Sequence, residues 1–497
     1  MKGAAGGVGL AATAGRASAA SLVELLAPTG LGSRHARTPV DHLVVLMQEN
    51  RSVDHFLGWY AAENPAFNGR QQAAFRDLRK GANGPMVSTK DWGLRGRNNY
   101  HGRGNADPSH GWGGGRYERN GGRCDGWLHP GTGNDEFALS YYGPLDVPVW
   151  AQLIRDYQAY DRWHCSVLGP TQPNRYYLHS AQSGGFKSND LPPEVVGDHP
   201  EWALGWDWPT IWTLLERYGV SCAYYFSNLP ELAYWGPRHL SHVRHISEYY
   251  AAAASGTLPA VSFIDPWFSA PEGLANDDHP LADIRLGQAF ISDVVEAFVF
   301  SRNYQRGALV ATYDEWGGFW DHVDPPRLPD DRGTPNDPGG QGDFGQLGFR
   351  VPSVIVSPWT RGDTVDHTLY EHSSVLKFIS QNWGLPYLTQ RHRSTNSIGN
   401  AFRGFDHFDG DPAFVPYEAP LNLLLEPTLE QLQAQVPATA TAKKTSVAKH
   451  EGSDLHRLAE YGWFDKLKVN IDHKFEDSYM HSRPALLAAA RRELSGT

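Results

Sequence analysis

The sequence predicts an α/β protein with a central sheet, helices on its faces and long loop insertions. Short apolar, β-branched runs alternate along the chain with segments in which apolar residues recur at helical spacing. The 52 Gly and 34 Pro among 497 residues indicate many turns and long connections. In addition, several predicted strands end in charged or amide residues, which a buried strand end does not need unless something neutralises them.

The first predicted strand covers 42–48 and begins the folded region. Residues 60–148 show no sustained periodicity, so they are predicted to form a long insertion over the sheet. The other predicted strands cover 163–168, 222–226, 261–264, 308–312 and 351–356. The predicted helices cover 147–161, 176–185 with Thr171 near the N-terminus, 208–220, 284–301 and 374–383.

Composition divides the chain into an N-terminal segment (1–38), a folded domain (39–435) and a linker with a helix-prone tail (436–497). The N-terminal segment is rich in Ala, Gly and Ser, starts with Lys2, and contains the cleavage-like triplet Ala17-Ser18-Ala19. It resembles the back half of a twin-arginine export signal, which predicts a secreted or cell-envelope protein. A disordered tail is the alternative, and it leaves a cytoplasmic location open.

The bulk composition excludes several classes of function. A formal net charge of −11 argues against a nucleic-acid backbone as partner and against electrostatic docking onto anionic lipid, but not against a zwitterionic lipid. No run reaches the ~18 apolar residues that a transmembrane helix requires. Three Cys without a C-x-x-C pair exclude a thiolate zinc cluster, and they leave one disulfide possible, of Cys124 or Cys165 with Cys222.

Two predicted strands end in pairs of potential oxygen ligands. Glu49 and Asn50 follow the strand at 42–48, and Asp314 and Glu315 follow the strand at 308–312. In open α/β sheets, ligands and metals bind beyond the carboxyl ends of the strands. Carboxylate and amide oxygens suit one hard or borderline divalent cation, and the set fits Zn, Mn, Mg or Ca. A solvated loop is the alternative for either pair taken alone.

A threonine between two prolines supplies a candidate nucleophile. Pro170 and Pro173 restrict the backbone on either side of Thr171, and the following helix would place its N-terminal amides there. An alcohol ionises far above neutral pH, and metal coordination is one way to make it nucleophilic. With Arg175 nearby, this arrangement suits attack on phosphorus. Four histidines are candidates for binding the phosphoryl oxygens or protonating the leaving group: His110, His279, His322 and His372.

Six segments in this order resemble the motifs of the bacterial phosphoesterase family: DHLVVLMQENRSVDHFLG, LGPTQPNRYY, NDDHP, YDEWGGFWDHVDPP, FRVPSVIVSPW and YEHSSVLKFI. That family contains phospholipases C and an acid phosphatase branch, and the resemblance runs from about residue 40 to about 385. It implies an alkaline-phosphatase-like fold with a mostly parallel central sheet, and a metal-dependent hydrolase acting on phosphoric esters. The domain at 39–435 would then be the catalytic domain.

The resemblance also implies roles for individual residues. Glu49, Asn50, Asp314 and Glu315 would bind one metal ion together with Thr171, and Thr171 would form a phosphothreonine intermediate. Asn174 and Arg175 would shape the nucleophile loop and bind substrate. Four histidines would surround the phosphoryl group: His110, His279, His322 and His372. In the first motif Val53 stands where the family has Phe, and Phe56-Leu57 stands where Tyr-Phe is usual, which changes the packing behind the ligands.

The sequence leaves the substrate open between two phosphoric esters. A phospholipase C would cleave a phospholipid head-group, and Trp- and Tyr-rich loops could hold a choline-like cation. The alternative is an acid phosphatase-type phosphomonoesterase acting on small soluble phosphates. The chain shows no counterpart of the C-terminal β domains of the larger phospholipases C, which counts toward this alternative. A non-catalytic exported protein and a sulfatase are further alternatives, and the sulfatase is disfavoured because no C-x-P-x-R motif occurs.

Overall fold

The computed structural model describes residues 36–189, 205–268, 275–332, 342–360, 362, 364–402, 405 and 414–417. This part of the chain forms an eight-stranded sheet, whose strands are β1 (His42–Gln48), β6 (Ala159–Tyr160), β7 (Cys222–Phe226), β8 (Val243–His245), β9 (Val261–Ile264), β10 (Gly307–Tyr313), β11 (Ser353–Val356) and β12 (Val365–Asp366). Their order across the sheet is β12-β6-β11-β10-β1-β9-β7-β8. Two small pairs complete the strands: β2 (Ala74–Arg76) with β3 (Met86–Ser88), and β4 (Lys90–Asp91) with β5 (Ser140–Tyr141).

The centre of the sheet is parallel, as the resemblance implies. β1 pairs in parallel with β10 on one side and with β9 on the other, while β11 pairs antiparallel with β10. All seven residues of β10 are buried, and so are the last six of β1. Strands covered on both faces carry continuous apolar runs, which is why LVVLM and ALVA could be recognised from the sequence.

Each helix predicted from the sequence overlaps a helix of the structure. The predicted helices correspond to α3 (Pro148–Asp156), α4 (Thr171–Ser180), α5 (Ile211–Arg217), α7 (Ile284–Val299) and α8 (His372–Trp383). Two predicted bounds are wrong: the helix predicted at 147–161 ends at Asp156 and is followed by β6, and the helix predicted at 176–185 begins at Thr171 and ends at Ser180. The helices that the sequence did not predict are α1 (Val53–Leu57), α2 (Trp112–Arg119), α6 (Ile246–Ser255) and α9 (Gln390–Ser394). The fold class is therefore confirmed as α/β, with a mostly parallel sheet flanked by helices.

The insertion at 60–148 has more structure than predicted. It contains helix α2, both small strand pairs and several single helical turns. The structure also corrects the predicted strand at 163–168, where only isolated bridges of Trp163 with Tyr370 and of His164 with Arg350 form. The disulfide that the sequence left possible for Cys222 does not form, because Cys124, Cys165 and Cys222 are all free thiols.

No helix among the described residues is long and apolar enough to cross a membrane. The predicted export signal at 1–38 and the tail at 436–497 lie outside the described residues, apart from 36–38. These predictions therefore stay predictions.

Candidate active site

The carboxyl ends of β1 and β10 bring the two predicted ligand pairs together. Gln48 lies opposite Tyr313 at the end of the parallel register, so the chain emerges from both strands side by side. The backbone amide of Asn50 donates to Asp314 Oδ1 at 3.1 Å. Just beyond, the amide of Arg51 donates to the carbonyl of Glu315 at 3.0 Å. Glu49, Asn50, Asp314 and Glu315 are all fully buried.

The predicted nucleophile lies beside this group. Helix α4 begins at Thr171, whose hydroxyl donates to Glu49 Oε1 at 3.3 Å. Every residue of α4 is buried, so the hydroxyl is fixed by the packing of the whole helix. Asn174 secures the turn that precedes it, because its Nδ2 donates to the carbonyls of Gly169 and Pro170 at 2.8 and 3.1 Å. These hydrogen bonds of Asn174 stabilise the conformation of the loop, and the predicted part of Asn174 in substrate binding stays a prediction.

Arg175 contacts the buried acids at the strand ends, and its predicted part in substrate binding stays a prediction. Its Nε donates to Asp314 Oδ2 at 2.9 Å, and its Nη1 donates to Asp265 Oδ1 at 3.2 Å. The Nη2 donates to the carbonyl of Gln48 at 3.1 Å, and Glu231 Oε1 is 3.6 Å from Nε. The side chain is 1% exposed. These contacts orient Asp314 and neutralise part of the buried negative charge.

Negative charge still exceeds positive charge at the strand ends. Burial raises the pKa of Glu49 well above its ordinary value, and the neighbouring carboxyls of Asp277 and Asp314 raise it further. Burial also raises the pKa of Asp314, although Arg175 opposes this. Carboxylates gathered away from water are stable only when protons or cations balance them. A divalent cation would supply that balance.

Both polar atoms of the Asn50 side chain, Oδ1 and Nδ2, are buried without a hydrogen-bond partner among the described residues, as expected of a metal ligand. Asn50 also has φ of +67°, a left-handed conformation that Asn tolerates better than most residues. Buried polar atoms are nearly always paired, so these exceptions need a partner. With Asp314, Glu315 and Thr171, the residues present fit a bound divalent cation.

Two of the predicted histidines form a pair on one side of the site. The ring centroids of His110 and His279 are 6.4 Å apart, and both residues are buried. His110 Nδ1 donates to the carbonyl of Pro108 at 2.6 Å, so Nε2 is the acceptor in the neutral ring. His279 Nε2 is 3.7 Å from an oxygen of Asp107. Both rings can therefore serve in proton transfer or bind an anion.

Asp277 connects His279 with Glu49 and was not singled out from the sequence. Its Oδ1 accepts from the amide of His279 at 2.9 Å, and its carbonyl accepts from the amide of Glu49 at 2.8 Å. The Asp277 carboxyl also bonds the Glu49 side chain and raises the pKa of Glu49. The only signal in the sequence was its place in NDDHP, two residues before His279.

His372 reaches the site from another element. It is the first residue of α8, and its Nε2 donates to the carbonyl of Asp314 at 2.6 Å. Burial lowers the pKa of His372 to about 4, so the ring is neutral. Its Nδ1 is then an acceptor, and among the described residues that buried atom has no hydrogen-bond partner.

His322 belongs to a different cluster. Its Nδ1 is 2.5 Å from Asp54 Oδ2, and its Nε2 is 2.9 Å from Asn68 Oδ1. Arg350 donates to both oxygens of Asp321, at 3.0 and 3.1 Å, and to Asp54 at 3.3 Å. Asp54, Asp321 and His322 lie close enough together to bind a metal, but Arg350 already neutralises the two acids. The recorded contacts of His322 are thus with this ion-pair cluster, and its predicted part at the phosphoryl group stays a prediction.

Sequence comparison now assigns the family. The model of the phosphoesterase family matches residues 40–386, which include every candidate ligand, Thr171 and the four histidines. The chain belongs to the phosphoesterase family. It is thus a phosphoric ester hydrolase, as the resemblance implies.

Two of the relatives of this chain are named as phospholipases C. Non-specific phospholipase C6 of Arabidopsis thaliana is 33% identical over 393 residues, covering 72% of this chain and 71% of that protein. Phospholipase C B of Mycobacterium tuberculosis (strain ATCC 25618 / H37Rv) is 30% identical over 408 residues, covering 70% of this chain and 74% of that protein. A solved protein in the alkaline phosphatase superfamily from Vibrio parahaemolyticus matches 71% of this chain and 67% of its own, with a TM-score of 0.33 and 10% identity. At that TM-score, family membership rests on the sequence.

Proposed function

We propose that this phosphoesterase is a metal-dependent phospholipase C-type enzyme that hydrolyses the glycerol–phosphate bond of a phospholipid through a phosphothreonine intermediate. One observation carries the mechanism: the Thr171 hydroxyl, at the N-terminus of α4, donates to Glu49 Oε1 beside Asp314. The names of the relatives support the phospholipid substrate.

A divalent cation held by Glu49, Asn50, Asp314 and Glu315 would lower the pKa of the Thr171 hydroxyl and neutralise charge on the phosphoryl oxygens. Thr171 Oγ1 attacks phosphorus, and the bond from phosphorus to the glycerol oxygen breaks. The glycerol oxygen takes a proton and leaves as diacylglycerol. Water then attacks the phosphothreonine, the bond from phosphorus to Oγ1 breaks, and the phosphorylated head-group leaves while Thr171 regains its proton.

Three histidines have places in this scheme. The rings of His110 and His279 lie edge to face with their centroids 6.4 Å apart, and one of them would donate the proton that the leaving oxygen needs. His372 holds the Asp314 carbonyl and presents Nδ1 as an acceptor. Removing His110 or His279 should therefore lower the rate of phosphoryl transfer more than it weakens substrate binding.

The same residues would also hydrolyse a phosphomonoester, which is the acid phosphatase-type alternative. The two substrates are distinguished by assaying the purified, metal-loaded protein on phosphatidylcholine vesicles, p-nitrophenyl phosphate and phosphocholine. Release of phosphocholine and diacylglycerol from the vesicles is the expected result. Turnover of the two monoesters with intact phosphatidylcholine would contradict the phospholipase proposal and support the alternative. Thr171→Ala is the control, and it should be inactive on all three.

We also propose that the protein acts outside the cytoplasm, in the medium or at the cell envelope. The composition of residues 1–38 supports export. Fractionating the cells in which the full-length protein is produced tests this, and recovery in the cytoplasm alone would contradict it.

A further inference from the structure

Glu118 is a buried acid that the mechanism above does not use. It lies in the last turn of α2, the helix that begins two residues after His110, and it is fully buried. Burial raises its pKa to about 8. A carboxyl group in such a place is stable only if hydrogen bonds satisfy both of its oxygens.

Both oxygens accept hydrogen bonds, and the donors come from separate loops. Trp316 Nε1 donates to Oε2 at 2.8 Å, and Asn134 Nδ2 donates to Oε1 at 2.9 Å. Trp316 follows Glu315 directly in the chain. The Oδ1 of Asn134 in turn accepts a hydrogen bond from the backbone amide of Ser109 at 2.7 Å. Glu118 is therefore connected to the residue after Glu315 and, through Asn134, to the residue before His110.

The packing around these bonds is tight. A Cβ at Gly115, one turn before Glu118, would lie 2.8 Å from ring atoms of Trp316. The Trp316 ring is thus seated directly on α2, and Trp316 is fully buried. A glycine at 115 permits this close approach of the helix to the ring. Neither loop can shift relative to α2 without breaking a buried hydrogen bond or opening a void.

We propose that Glu118 is a positioning residue for phosphoryl transfer: it holds the loop of His110 in register with the Asp314–Glu315 loop. The inference rests on the proposed function, in which His110 acts on the phosphoryl group and the 314–315 loop carries metal ligands. The positioning residue touches neither substrate nor metal, and it acts through Trp316 and Asn134.

Glu118→Gln is the informative variant because it keeps the shape of the side chain. Both oxygens of a carboxyl group can accept from the two donors, whereas an amide accepts only at its oxygen and turns an NH₂ group toward the other donor. One of the two loops therefore loses its connection. We expect kcat to fall about 10- to 100-fold with KM changed less, the range seen when partners that orient a site residue are lost. Trp316→Phe, which removes one donor and leaves Glu118 intact, should lower kcat in the same direction.

A double-mutant cycle with His110→Ala separates positioning from general destabilisation. The substrates are p-nitrophenylphosphocholine and p-nitrophenyl phosphate, assayed with metal-loaded variants at a temperature where circular dichroism shows each to be folded. If Glu118 acts through His110, Glu118→Gln should have little further effect in the His110→Ala protein. Asp146→Asn is the matched control: this buried carboxylate accepts from the amides of Leu94 and Gly143, away from the site. It should lower the melting temperature and leave kcat unchanged.

Each other outcome overturns the inference. A Glu118→Gln protein with wild-type kcat would show that the hydrogen bonds do not matter for the reaction. An equal fold-loss of kcat in the wild-type and His110→Ala backgrounds would show that Glu118 does not act through His110. A wild-type rate for His110→Ala alone would refute the proposed role of His110, and with it this inference, while leaving the rest of the site to be tested through Thr171.

Discussion

At the scale of single residues, Asn50 is the residue that most favours the proposed metal site. Its backbone is in the left-handed region, its amide donates to Asp314, and its side chain has no hydrogen-bond partner among the described residues. A left-handed φ and an unpaired buried amide are both unfavourable. They are compatible with a stable fold when the amide oxygen binds a cation.

Replacing Asn50 tests this without disturbing the backbone. Asn50→Gly removes the ligand and relieves the left-handed conformation, so we expect affinity for the activating divalent cation to fall about 10-fold or more while the metal-free protein keeps its stability. Asn50→Asp keeps an oxygen in place and should retain binding. Isothermal titration of the metal-free variants with Zn²⁺, Mn²⁺, Mg²⁺ and Ca²⁺ makes the measurement. Unchanged affinity in Asn50→Gly would remove Asn50 from the ligand set.

Sequence reasoning found the residues that follow strands and missed those that distant segments bring together. Glu49 and Asp314 were accessible because each directly follows a continuous apolar run. Glu118 and Asp277 were not, because their partners lie far away in the chain and no local pattern marks them. His322 belongs to the same sequence motif as Asp314 and Glu315, but in the structure its side chain contacts Asp54 and Asn68.

At the scale of elements, the sequence was most informative where local forces and tertiary structure agree. The prolines around Thr171 favour the first turn of a helix, and α4 begins there, whereas the helix was predicted from residue 176. Helix α2, with the sequence WGGGRYER, was missed because three glycines make an unfavourable helix when considered alone. Its packing against Trp316 requires a small residue at position 115, so tertiary structure overrides propensity there. Residues 163–168 show the converse, since an apolar run forms only isolated bridges.

At the scale of the whole molecule, buried neutral histidines away from the proposed catalytic residues make stability depend on acidity. Burial lowers the pKa of His164 to about 4, of His179 to about 3 and of His392 to about 4. The unfolded chain binds protons near the ordinary histidine pKa of about 6.5, so it gains protons before the folded protein does. The stability gained by burying these histidines in their neutral form is present above about pH 6.5. It is lost as the pH falls through the pKa values that the histidines have in the folded protein.

Buried acids such as Glu118, whose pKa is raised to about 8, act in the opposite direction, so the histidine contribution is measured as the difference between the wild type and a histidine variant. We expect that difference in melting temperature to be steady from pH 8 to about 6.5 and to change between pH 6 and 4. Lowering the pKa of a histidine from about 6.5 to about 4 on folding corresponds to a loss of on the order of 3 kcal/mol of stability at a pH below both values. His392→Asn, which cannot be protonated in this range, should show a shallower loss on acidification than the wild type. Differential scanning calorimetry across this range tests it, and parallel slopes for wild type and variant would contradict the assignment.

The central claim is that Thr171 carries the phosphoryl group during turnover, and trapping the intermediate tests it directly. The metal-loaded enzyme is mixed with saturating substrate, quenched in acid within one turnover, digested and analysed by mass spectrometry. We predict one phosphoryl group on the peptide that begins the α4 helix, located at Thr171 and absent from Thr171→Ala. A phosphoryl group on another residue, or turnover by Thr171→Ala at the wild-type rate, would contradict the mechanism.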